Sequence, residues 1–105
     1  AYPDIQVVGE ADNGLDAVEL AERLQPTIVL MDINMPKMNG IEATARIINQ
    51  WPQIVVIGLS VNASEENSGA MKQAGATRLM TKEAAVDELY GAIQEVLSLL
   101  VSRAQ

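Results

Sequence analysis

The 105-residue sequence contains neither cysteine nor histidine. The first absence excludes disulfides and thiolate metal sites; the second removes imidazole bases, the commonest zinc ligand and any phosphohistidine donor within the chain. Positive charge is scarce as well: seven lysines and arginines stand against fourteen aspartates and glutamates, a formal charge of −7. Phosphate contacts need a basic footprint, so this segment is not expected to bind nucleic acid directly. No apolar run approaches the ~20 residues that span a bilayer, and no charged region followed by a signal-like apolar stretch opens the chain, so the cytoplasm is the expected compartment. Pro/Gly-rich linkers, internal repeats and low-complexity tracts are lacking too, which makes residues 1–105 one domain.

What is present suits a folded soluble chain, with 49% hydrophobic and 20% charged residues. Residues 5–10 (IQVVGE) form a short β-branched run between Pro3 and the Asp12-Asn13-Gly14 turn signal, and read as a strand. Asn13 can cap a following helix with Asp16 in its first turn; Leu15, Val18, Ala21 and Leu24 then recur at helical spacing up to Pro26. Residues 27–31 (TIVLM) are continuously apolar after the first and lead into Asp32, the pattern of a strand buried on both faces, and residues 54–59 (IVVIGL) repeat it. Between them, residues 40–49 place Ile41, Ala45 and Ile48 on one helix face, ended by Trp51-Pro52.

Ser64 is positioned to cap a helix over residues 65–74, with Glu65 and Glu66 in its first turn and Gly75 as its stop. Residues 78–80 read as a short strand, and residues 84–101 as a long helix striped by Val86, Leu89, Tyr90, Ile93, Val96, Leu97 and Leu100. Met31, Met35, Met38, Met71 and Met80 are expected to fill core gaps or cover loops rather than hold a metal. The alternation predicts an open α/β parallel sheet with helices on both faces, built from four strands and four helices.

In such sheets ligands bind beyond the carboxyl ends of the strands. Asp32 follows the second apolar run, Ser60 the third, and Lys82 the short last strand, so the fold gathers a carboxylate, a hydroxyl and an ammonium at one edge. Singly, each has an ordinary explanation as a turn former, a cap or a solvated charge. Together they suit phosphoryl chemistry: Asp32 as nucleophile, Lys82 compensating the added charge, and Ser60 donating to a phosphoryl oxygen.

VLMDINMPKMNG (residues 29–40), IGLS (57–60) and GATRLMTKEAAVDEL (75–89) resemble the three sequence blocks of the receiver domains of bacterial two-component response regulators. The resemblance covers the whole chain from its first strand and implies a flavodoxin-like fold. It makes Asp32 the phosphoacceptor, Ser60 the switch hydroxyl and Lys82 the family lysine; Asp32 and the backbone carbonyl of Asn34 become Mg²⁺ ligands, and Pro36 and Gly40 shape the intervening loop. The implied function is phosphorelay signalling: a histidine kinase supplies the phosphoryl group, and an output domain outside this chain responds. TKEAAVDEL is similar to the subgroup linked to helix-turn-helix DNA-binding outputs. The surface around the helices at 65–74 and 85–101 is where the partner preference is implied to change. The family is not enzymatic beyond its own phosphorylation and dephosphorylation.

The chain departs from the family pattern at its start. Receiver domains open with a further strand, ending in an acidic pair that binds Mg²⁺, and a helix; this sequence begins at what matches the second strand. It is therefore expected to be N-terminally truncated, to bind Mg²⁺ poorly through Asp32 and Asn34 alone, and to expose sheet edges open to strand exchange or a rearranged homodimer. A pseudo-receiver acting as an interaction or folding module is the alternative. Leu79 stands where the family has Tyr or Phe, Val61 where a smaller residue is common and expected to narrow access to Asp32, and Glu83 where many relatives have Pro. An Asp-nucleophile phosphatase of the haloacid dehalogenase class is a more remote alternative, since it needs a second acid where Asn34 stands.

Overall fold

The apolar runs singled out in the sequence become adjacent strands of one parallel sheet. The structure, a computed structural model, describes residues 9–34, 37–61 and 65–104. Among them, α1 (Gly14–Leu24), β1 (Ile28–Asp32), α2 (Gly40–Gln50), β2 (Val55–Ser60), α3 (Glu65–Ala74), β3 (Arg78–Thr81) and α4 (Lys82–Ala104) follow in chain order. The sheet runs β1-β2-β3, with both pairings parallel and α2 and α3 as the crossovers. Ile5 to Val8 of the expected first strand lie outside the described residues, as do Met35, Pro36 and Ser64; Gly9 and Glu10 are described and belong to no strand.

Local chemistry sets the helix ends. Asn13 is extended, and its side-chain oxygen accepts the backbone N–H of Asp16 at 2.9 Å, as the sequence predicts. At the other end of α1, Gln25 takes the left-handed conformation, and its amide donates to the carbonyls of Ala21 and Glu22. Asn39 caps α2 by accepting the N–H of Glu42 at 2.9 Å. Gly75 ends α3 at φ 111°.

Side-chain alternation along the strands divides the core in two. Met31 of β1 and Val56 of β2 join Ala43 and Ile47 of α2 and Met71 of α3 in one cluster, against which Val29 of β1 and Ala17 and Val18 of α1 also pack. Ile57 alternates to the opposite face of the sheet, and there α4 lies against β2 and β3 with Ala92, Ile93 and Val96 buried. Met31, Met38 and Met71 are core fillers, as expected.

Several expected stripes are rotated from their predicted positions. The core-facing residues of α2 are Gly40, Ala43, Thr44 and Ile47, whereas Ala45 is exposed and Ile41 and Ile48 are half-buried. Leu15 and Leu24 of α1 and Val86 of α4 are exposed too. On α1 and α2 the apolar residue on the rim had the right spacing, and small residues such as Gly14, Ala21, Gly40 and Ala43 took the contact; on α4 the expected Ile93 and Val96 are buried. β1 is not buried on both faces, since Leu30 is 45% exposed. Its face over α4 is only part-covered, because α4 packs on β2 and β3.

Thr44 Oγ1 is fully buried among the described residues and has no hydrogen-bond partner. Desolvating a hydroxyl without compensation costs about 1–3 kcal/mol. Thr44→Val keeps the shape and removes that cost, so it is expected to raise the urea midpoint by the equivalent of about 1 kcal/mol; a lowered midpoint contradicts the packing described.

Candidate functional site

Parallel pairing brings every strand's carboxyl end to one edge of the sheet. Asp32 is the last residue of β1, Ser60 of β2 and Thr81 of β3, and the register sets Asp32 beside Leu59 and Ser60 beside Thr81. Lys82 follows Thr81 with no intervening loop and opens α4. The abrupt start is capped by Thr81, whose hydroxyl accepts the N–H of Ala84 at 3.0 Å. That cap was not anticipated from the sequence; the signal was present as Thr81 followed by the acid-bearing first turn Lys82-Glu83.

The predicted pair meets directly. Lys82 Nζ donates to Asp32 Oδ2 at 2.7 Å, and the backbone N–H of Asn34 donates to Asp32 Oδ1 at 3.0 Å, so both carboxylate oxygens have partners. The pair is accessible from solvent, with side-chain exposures of 48% for Lys82 and 31% for Asp32. Ser60 is buried at the end of the central strand, 1% exposed. Val61, expected to narrow access, is 71% exposed and stands in solvent at the rim. Leu79 is half-buried and packs against the core cluster.

Two close backbone approaches fix the loop that follows Asp32. Ile33 N–H continues the ladder to the carbonyl of Leu59 at 3.1 Å, and the Gly40 N–H closes the loop onto the carbonyl of Ile33 at 2.8 Å. A Cβ on Gly40 would collide with the carbonyl oxygen of Asp32 and stand 2.8 Å from its carbonyl carbon. The loop's far arm is held at Met38, 4% exposed. There the absent Cβ of Gly14 would strike the Met38 carbonyl oxygen. The role of Gly40 follows the sequence reading; the seat of Met38 on α1 does not, because no local pattern joins residues 14 and 38.

Chemically the edge presents an accessible carboxylate with a cation already on it and a hydroxyl on the next strand. Asp32 and the Asn34 carbonyl are hard oxygen donors of the type Mg²⁺ prefers. Among the described residues no three carboxylates or other such ligands come together to hold a metal ion.

With this geometry in place, three comparisons converge. A family profile described as "Response regulator receiver domain" matches residues 2–94. The transcriptional regulatory protein DegU of Brevibacillus brevis is 39% identical over 94 residues, which are 90% of this chain and 40% of that protein. The response regulator GacA of Pseudomonas aeruginosa is 40% identical over 94 residues, 90% of this chain and 44% of GacA. A crystal structure of a LuxR-family two-component response regulator from Aurantimonas sp. superposes with a TM-score of 0.86 at 30% identity, covering 91% of this chain and 69% of that one. The chain thus spans about two fifths of the length of these curated relatives.

Two substitutions separate the backbone contact from the ion pair. Gly40→Ala forces the Asp32 carbonyl to move and is expected to cost about 1–3 kcal/mol, the range for overpacking. Lys82→Met removes only a half-exposed ion pair and is expected to change stability by under about 1 kcal/mol. Chemical denaturation measures both; a Gly40→Ala chain as stable as the parent contradicts the contact.

Proposed function

The chain belongs to the response regulator receiver domain family, and on that premise we propose that residues 1–105 are a single receiver module in which Asp32 accepts a phosphoryl group from a histidine kinase. The observation that carries this reading is the Lys82–Asp32 contact at the sheet's carboxyl edge, with Ser60 ending the neighbouring strand. An Asp32 carboxylate oxygen attacks phosphorus, the donor's bond to phosphorus breaks, and its electron pair leaves with the donor. The product is an acyl phosphate carrying about −1.5 to −2 of charge on strong acceptor oxygens. Lys82 then transfers its hydrogen bond from the carboxylate to a phosphoryl oxygen, and the Ser60 hydroxyl donates to another. In the family, Mg²⁺ supplies further charge neutralisation when bound; of the residues described, Asp32 and the carbonyl of Asn34 would hold it.

The new charge acts on neighbouring elements because Ser60 and Lys82 are covalently continuous with them. Lys82 is the first residue of α4, and Ser60 leads toward α3. Between α3, β3 and α4 lies a groove of about 510 Å³ whose lining includes Lys72, Arg78, Leu79, Met80 and Glu88. This is the surface through which the module addresses its output. In the whole protein that output is a DNA-binding transcription regulator, a reading supported by the name of the B. brevis relative, a transcriptional regulatory protein. The cytoplasm is the compartment this role implies. Among the described residues no helix is long and apolar enough to cross a membrane. The module's own chemistry is self-phosphorylation and dephosphorylation, without a separate substrate.

One competing reading is an interaction module without phosphoryl transfer, in which the Lys82–Asp32 pair is a structural contact. Incubation with acetyl phosphate and Mg²⁺, followed by intact-mass measurement, separates the two. The parent chain is expected to gain one phosphoryl group and Asp32→Asn none. A parent chain that gains nothing supports the interaction module, and labelling that survives Asp32→Asn moves the site elsewhere.

A further inference from the structure

The parallel architecture that gathers Asp32 and Lys82 also gathers helix N-termini at the same edge. Acidic residues occupy their first turns: Asp16 in α1, Glu42 in α2 and Glu83 in α4. These placements favour the helices, because carboxylates complement the positive end of the helix dipole. With Asp12 just ahead of α1 and with Asp32 itself, the edge carries five described carboxylates. The cations are sorted the other way. Arg23 and Lys72 lie in the last turns of α1 and α3, and Arg78 begins β3, all at the opposite edge. Arg46 is midway along α2. A phosphodonor is itself anionic, so the edge it must reach repels it.

Among the described residues, two ammonium groups offset that repulsion at the carboxyl edge, Lys82 and Lys37, and Lys82 is bound to Asp32. Lys37 is exposed and sits in the loop that leaves Asp32 and is closed at its base by the Gly40–Ile33 hydrogen bond. Its neighbour Met38 is buried against α1, which anchors the position. Lys37 also has φ 67°, left-handed backbone that glycine adopts freely. A lysine there costs roughly 1–2 kcal/mol. Strain of this kind persists where the surrounding structure imposes it and clusters at functional sites.

We infer that Lys37 is the residue that draws the anionic phosphoryl group of the donor toward Asp32, by offsetting the carboxylates that the helix N-termini place around it. This rests on the phosphoacceptor reading above. The role is electrostatic and long-range: Lys37 accelerates encounter, while Asp32 forms the bond to phosphorus and Ser60 and Lys82 hydrogen-bond to the phosphoryl oxygens. Such steering depends steeply on ionic strength, which a purely structural role for the loop does not.

The test is the second-order rate constant for phosphorylation by acetyl phosphate at fixed Mg²⁺, at ionic strengths of about 0.01 M and 1 M, where screening lengths are about 30 Å and 3 Å. Lys37→Asn removes the charge and tolerates the left-handed backbone; Lys37→Arg retains the charge. The Asn variant is expected to react about 2- to 5-fold more slowly at low ionic strength and to equal the parent at high, with the Arg variant following the parent throughout. An Asn variant as fast as the parent at low ionic strength overturns the inference. So does a deficit of the same size at both, which would mark a positional effect. If the parent is unlabelled under every condition, the phosphoacceptor reading itself fails and the inference with it.

Discussion

The register of the parallel ladder is the constraint on which everything else rests. Pairing Ile28 with Val55, and Ile57 with Arg78, fixes where each strand stops. A one-residue slip would turn every side chain to the other face of the sheet. In this register Val29, Met31 and Val56 enter the core shared with α2 and α3, while Asp32 and Ser60 emerge together at the carboxyl edge. Lys82 reaches Asp32 because Thr81 ends β3 beside Ser60 and caps α4 at once, which leaves no slack between strand and helix. The site is thus a by-product of core packing at three strands, tightened locally by the bare backbone of Gly40 under the Asp32 carbonyl.

That origin explains what was legible in the sequence. β-branched and aliphatic runs ending in Asp32, Ser60 and Thr81-Lys82 signal parallel strands and their polar ends, so the α/β class and the gathering of Asp32, Ser60 and Lys82 at one sheet edge could be read directly. Helix boundaries were legible where a cap carries them, as at Asn13 and Gly75. The faces of the helices were less so. On α2 the contact is made by Gly40, Ala43, Thr44 and Ile47, because small residues let the helix sit close to the sheet and displace the more hydrophobic Ile41 and Ile48 toward the rim. Hydrophobicity alone does not encode that choice. Nor does local sequence encode the seat of Met38 on Gly14, which joins segments brought together only by the crossover through β1.

The same geometry sets two requirements against each other. Helix N-termini at the carboxyl edge are stabilised by first-turn acids, and the strands deliver a nucleophilic carboxylate to that edge, yet the reaction proposed needs another anion to arrive there. A chain with net charge −7 has few cations with which to resolve this. Lys82 neutralises Asp32 at contact, while the strained, exposed Lys37 acts at a distance. The first-turn acids that favour the helices and the carboxylate proposed to react thus share one edge of the sheet.

The central claim is that one carboxylate at this edge takes the phosphoryl group. An aspartyl phosphate is an activated acyl group, and borohydride reduces it to homoserine while leaving unmodified carboxylates intact. Peptide mapping of the phosphorylated and reduced chain tests the claim most directly. The account predicts homoserine at position 32 alone; homoserine at Asp12, Asp16 or another acid, with Asp32 intact, would contradict it.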